Sequence, residues 1–202
     1  MRDICIGLRD LHKKKIVHLD IKPGTKQQIK SLIENILISN SKKYKIADLG
    51  LSRLVTKLDG DVPEGDSRYL APELLNEDPN VIPDLTKADI FSLGIMMYEL
   101  MRNKPLLLNG EEWIDIRNGR VDLQDLTPYS NDLKEAILLM LRPNPAERPS
   151  AEAILEKYLP SPEQLEIKYL QNENERLKKE IEYLKSTNGE KTRNGLLRKK
   201  SL

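Results

Sequence analysis

Five short polar motifs stand in a fixed order along this chain, each tied to an apolar run, and together they leave it little freedom to fold differently. They are HLDIKP at His18–Pro23, ADLG at Ala47–Gly50, EGDSRYLAPE at Glu64–Glu73, ADIFSLG at Ala88–Gly94 and NPAERPS at Asn144–Ser150. Before the first motif, residues 1–15 read as an amphipathic helix with Ile4, Leu8 and Leu11 on one face. Ile16 to Pro23 reads as a short strand and loop. Asn35–Ser39 and Tyr44–Ala47 read as a small hairpin around Asn40-Ser41. A loop is expected from Asp48 to about Leu70. Ala88–Met101 is almost wholly apolar, which predicts a helix buried on all sides. Further helices are expected over 131–141 and 150–158, the second N-capped by Ser150. Pro160 and Pro162 then mark a boundary. The pattern is that of a mainly α unit over residues 1–158 with short β-hairpins.

The chain has 202 residues and a net charge of +1, so its overall field favours neither nucleic acid nor a membrane surface. One cysteine, Cys5, excludes an internal disulfide framework and suits a reducing compartment; it is expected to pack inertly. No run of about 18 apolar residues is present, so no membrane span is expected, and Met1-Arg2-Asp3-Ile4 does not open a signal peptide. The expected location is therefore inside the cell, in nucleus, cytoplasm or both.

The motifs carry a consistent chemistry. Phosphoryl transfer requires a carboxylate to orient a hydroxyl and accept its proton, ligands for a divalent metal, and positive charge near the transferred group. Asp20 is placed for the first task, on a loop just after a strand. Lys22, two residues on, is placed to offset charge on a γ-phosphate and to bind the nucleotide. Asp48 follows a strand and precedes Gly50, whose freedom lets the chain turn so that the carboxylate meets Mg²⁺. Asn35 supplies a second metal contact, and Leu37 an apolar floor for the nucleotide. Glu73 and Arg148 are expected to form a buried ion pair, and Asp89 to accept hydrogen bonds from the loop that carries Asp20. His18 and Leu49 are expected to stack internally, and His12 to pack or lie on the surface.

Over roughly residues 1–158 these motifs resemble the C-terminal lobe of eukaryotic protein kinases. The match narrows with EGDSRYLAPELL, with DLG and HLD in place of DFG and HRD, and with WIDIRNGRVDLQ at Trp113–Gln124, which resemble the Wee/Myt family, the Wee type favoured. That resemblance implies an ATP- and Mg²⁺-dependent kinase that phosphorylates the inhibitory tyrosine of cyclin-dependent kinases in cell-cycle control. It makes Asp20 the catalytic base and Asn35 and Asp48 the metal ligands. Leu19 stands where most kinases place an arginine that pairs with a phosphate on the activation loop. The loop is therefore expected to be ordered without phosphorylation, through Glu64, Asp66 and Arg68, with Thr56, Ser67 and Tyr69 dispensable as phosphate acceptors. Two alternatives stay open: a non-catalytic, dimeric kinase-like interaction module, and a generic serine/threonine kinase.

The sequence departs from the family in two places. Thr25 stands where the family sets asparagine; that asparagine comes at Asn35, so residues 24–33 read as an insertion, and their flanking codons permit a short retained intron. No glycine-rich phosphate loop or strand lysine precedes His18. Without them nucleotide and hydroxyl are poorly held together, and these residues alone are expected to be weak or inactive.

From residue 163 the character changes. Ile167, Asn174 and Ile181 repeat at one seam of a heptad and Leu170, Leu177 and Leu184 at the other. Glu173 and Glu180 fall at g, Lys178 and Lys185 at e. Residues 159–187 are thus expected to form a coiled coil, either a parallel homodimer or a single solvated helix. Residues 188–202 read as a disordered basic tail, in which Ser201 is a candidate phosphorylation site or simply solvated.

Overall fold

The structure is a computed structural model that describes residues 1–23, 35–55, 65–75 and 84–198, with the side chains of the last helix described as far as residue 185. The insertion at 24–33, Thr56, Glu64 and Ser201 lie outside the described residues.

The chain divides into two units between Leu159 and Pro160. The first is mostly helical. Helix α1 (Arg2–Lys13) buries Ile4, Cys5 and Leu8, while Leu11 is only partly covered. Strand β1 (Ile16–Val17) leads into the HLDIKP loop and pairs antiparallel with β4 (Arg53–Leu54), a strand inside the stretch expected to be loop. Strands β2 (Ile36–Ile38) and β3 (Tyr44–Ile46) form the expected hairpin, with Ile36 opposite Ile46 and Ile38 opposite Tyr44. Lys42 takes a left-handed φ of 56° to close its turn.

Helix α2 (Leu85–Arg102) is the axis of the unit. Twelve of its 18 residues are buried, so its apolar run surrounds the helix rather than striping one face. Asp84 caps it by accepting from Thr86 N, and Asn103 ends it in the left-handed conformation. Gly94 lets α4 (Asn131–Met140) approach: a Cβ there would lie 2.9 Å from Met140 Cβ and 3.0 Å from Leu141 Cδ2. Ser130 caps α4, and Ser150 caps α5 (Ala151–Lys157) by accepting from Ala153 N. Helix α3 (Glu111–Arg117) lies in the WIDIR stretch. A 3₁₀ turn at Pro72–Leu74 carries Glu73. The main core joins Leu8, Ile21, Phe91, Leu93, Ile95, Ile137 and Ile154; a smaller one joins Val17, Leu19 and Leu85.

The second unit is one helix, α6 (Pro162–Arg198). It runs past residue 187, where the heptad ends, into the stretch expected to be disordered. Leu, Lys, Glu and Arg are strong helix formers and carry it across Asn188-Gly189 and Gly195. No helix among the described residues is long and apolar enough to cross a membrane.

Candidate active site

The site is assembled by Asp89, which is fully buried on α2. Its Oδ2 accepts from His18 N at 2.8 Å and its Oδ1 from Leu19 N at 2.8 Å, the backbone contacts its sequence context predicts. The expectation for His12 needs correcting: its Nε2 lies 2.8 Å from Asp89 Oδ2, so it is a polar partner rather than filler. These contacts hold Leu19 at φ 67°, a left-handed strain of about 1–2 kcal/mol for a non-glycine residue. The Leu19 side chain goes into the small core with Val17 and Leu85, 4% exposed, and offers nothing to a phosphate.

His18 is also buried. Its Nε2 donates to Ala47 O at 3.0 Å, which leaves Nδ1 to accept from Asp20 N at 3.3 Å. Both ring nitrogens therefore hold backbone, and neither is available for acid–base work. Leu49 departs from expectation. It is 56% exposed, because Asp48 at φ 59° turns the chain outward. Instead of being enclosed beside His18, Leu49 lines an open groove of about 580 Å³ with Ile6, Gly7, Leu11 and Ile46.

Asp20 is held on both carboxylate oxygens. Asn35 Nδ2 donates to its Oδ2 at 2.7 Å and to its backbone O at 2.6 Å; Lys22 Nζ lies 2.9 Å from Oδ2. Its Oδ1 accepts, at 3.4 Å, from the backbone N–H of Asp66. Asn35 thus sits beside Asp20 despite the insertion before it. Gly65 makes that approach possible: a Cβ there would lie 2.6 Å from Leu19 O and 3.1 Å from Asp20 Oδ1.

Asn35 is fully buried, yet its Oδ1 has no hydrogen-bond partner among the described residues. An orphaned carbonyl oxygen is a hard donor aimed at nothing, which fits a Mg²⁺ ligand. Ala47 N donates to Asn35 O at 2.8 Å; the next residue, Asp48, is exposed, and its Oδ1 accepts from Gly50 N at 3.0 Å. Among the described residues no three His, Cys, Asp or Glu side chains cluster as a metal cage. An Asn–Asp pair fits an ion that keeps waters and nucleotide oxygens in most of its positions. Leu37 is 52% exposed on β2, opposite Lys45.

Asp66 and Arg68 hold the segment after the site together. Arg68 N and Nε donate to Asp66 Oδ1 at 3.1 and 2.9 Å. Burial pushes the Asp66 carboxyl up, but its hydrogen bonds from Arg68 prevail and hold it below the usual range. Glu73 meets the fully buried Arg148 in a two-pronged pair at 2.6 and 2.8 Å. Two residues with no assigned role also belong to this region. Arg117 Nη2 donates to the carbonyls of Ser67, Arg68 and Leu70 at 2.9, 3.2 and 2.8 Å, and Trp113 Nε1 donates to Ser67 O at 3.1 Å. WIDIR pointed to this helix only as a family likeness.

A carboxylate held by an asparagine and a lysine, next to a segment anchored by a buried Glu–Arg pair, is the arrangement of a phosphotransferase lobe. The protein kinase domain family matches residues 1–159, and the chain belongs to that family. Within it the similarity is to Wee-type kinases. The chain is 37% identical over 171 residues to the Wee1-like protein kinase of Drosophila melanogaster (73% of this chain, 27% of the relative). It is 37% identical over 155 residues to the membrane-associated tyrosine- and threonine-specific cdc2-inhibitory kinase of the same fly (76% and 26%). It is 40% identical over 154 residues to a probable protein kinase of Dictyostelium discoideum (76% and 39%). The chain thus covers well under half the length of each of these three relatives.

Proposed function

We propose that residues 1–158 form the catalytic lobe of a Wee-type kinase that transfers the γ-phosphoryl group of ATP to the inhibitory tyrosine of a cyclin-dependent kinase, in nucleus or cytoplasm. The observation that carries this reading is the Asp20 carboxylate, gripped by Asn35 and Lys22 at 2.7 and 2.9 Å. Mg²⁺ supplies charge neutralisation at the phosphates when bound, held by Asn35 Oδ1 and the Asp48 carboxylate. Asp20 orients the acceptor hydroxyl and takes its proton. Lys22 offsets the charge that grows on the transferred group. Leu37 offers the adenine an apolar surface. These residues contain no glycine-rich loop or strand lysine, so alone they transfer phosphate slowly. Residues 159–187 make the protein a parallel homodimer through Ile167, Leu170, Asn174, Leu177, Ile181 and Leu184.

The test is phosphoamino-acid analysis of a cyclin-dependent kinase incubated with the protein, ATP and Mg²⁺. Phosphotyrosine that falls about 10²–10⁴-fold with Asp20→Asn supports the proposal. Phosphoserine or phosphothreonine alone replaces it with the generic serine/threonine reading. Tight binding with no transfer above that of Asp20→Asn replaces it with the interaction module.

A further inference from the structure

Leu19 is turned into the small core, so the segment that reaches Asp20 has no arginine at that position to fix it through a phosphate. Tyr69 offers no ready acceptor either: it is 4% exposed and its hydroxyl donates to Glu99. Yet residues 66–70 are ordered against Asp20. What meets them from the other side is α3. Arg117 is 6% exposed, and no carboxylate faces it in its hydrogen bonds. Its guanidinium lies 3.6 Å from the Trp113 ring centroid and binds four carbonyls: Trp113, Ser67, Arg68 and Leu70. Burial pulls its pKa down to about 10, so it is still a cation at neutral pH.

We propose that Arg117 and Trp113 are positioning residues that hold residues 66–70 over Asp20 in place of a phosphate. The dependence is mutual. A buried cation is costly unless its donors are met; Nε has no partner among the described residues, so Arg117 depends on the four acceptors of Nη1 and Nη2, three of which belong to the segment. If the segment leaves, Arg117 is stranded; if Arg117 is lost, the carbonyls of Arg68 and Leu70 lose the donor it supplies and Ser67 O keeps only Trp113 Nε1. The fork and the stack both need a guanidinium; a lysine supplies charge without planar geometry. The Asp66 N–H that Asp20 accepts is the point where this order reaches the site. The consequence for catalysis rests on Asp20 being the base; the ordering itself does not.

Hydrogen exchange on the full chain reads the ordering without any kinase assay. After phosphatase treatment, the amides of Asp66, Arg68 and Tyr69 stay slow in the wild type. Arg117→Ala speeds them about tenfold or more, and Arg117→Lys does nearly as much, while amides of α2 change by less than about twofold. Trp113→Phe, which keeps the stack and drops one donor, has a smaller effect. Methylguanidinium slows exchange again in Arg117→Ala, and methylammonium does not. If Arg117→Ala also releases α2, the lysine and phenylalanine variants decide the matter. The proposal is overturned if phosphatase alone frees the segment, if Arg117→Lys exchanges like wild type, or if methylguanidinium restores nothing.

Discussion

Arg148 shows how much can hang on one side chain. It is 1% exposed, donates to the carbonyls of Arg142, Lys87 and Pro143, and closes on Glu73. Glu73→Gln leaves a buried cation without its counter-charge and is expected to cost about 3–5 kcal/mol, measured by urea unfolding. A loss below about 1 kcal/mol would mean that the carbonyls alone satisfy Arg148. Cys5 gives a second test at this scale. Burial raises its thiol to about 12, and its side chain is fully covered. It is expected to resist iodoacetamide in the native protein at pH 8 and to react once urea unfolds it. Native-state labelling at the rate of a free thiol would contradict the packing of α1. At this scale the sequence was informative where a motif dictates chemistry: Asp20, Lys22, Asn35, Asp48, Glu73 and Asp89 were all singled out from it. His12 and Arg117 were not, because their partners are 77 and up to 50 residues away and no local pattern marks them.

At the scale of elements, the close packing of α2 and α4 rests on Gly94. Alanine is the better helix former by about 1 kcal/mol, but its methyl would meet Met140 Cβ, which lies too close to its own backbone to swing aside. Overpacking of this kind costs about 1–3 kcal/mol, so Gly94→Ala is expected to lower Tm by several degrees in calorimetry. An unchanged or higher Tm would show that the two helices part without cost. The elements themselves were largely legible. The apolar run of α2, the 3-4 spacing in α1 and the Ser150 cap are local signals. Strand β4 was not legible: two residues carry no periodicity, and their strand character comes from pairing with Ile16 and Val17. The outward turn of Leu49 was missed for the same reason, since it follows from the left-handed Asp48.

For the whole molecule, the question is what α6 does with its apolar seam. Ile167, Leu170, Leu177 and Ile181 are each 43–55% exposed. Glu173 pairs with Arg176 within the helix, so a partner would have to compete with that contact. In a parallel dimer, Glu173 and Glu180 at g would face Lys178 and Lys185 at e of the partner helix. Light scattering is expected to give twice the chain mass at micromolar concentration, and Leu170→Asp with Leu177→Asp the mass of one chain. One-chain mass for both would leave a single solvated helix.

The sequence by itself determined the class of this protein and singled out the residues proposed to carry its chemistry. Motif order and apolar periodicity are one-dimensional, and they act through contacts within a few residues of each other. Only the tertiary structure decided which buried groups serve which others. It returned Asn35 to Asp20 across the insertion, laid the Gly65–Asp66 backbone on the same carboxylate, and set Arg117 under the segment that does so. Those contacts join residues 15 to 50 positions apart, and their strength comes from burial, which no stretch of sequence displays.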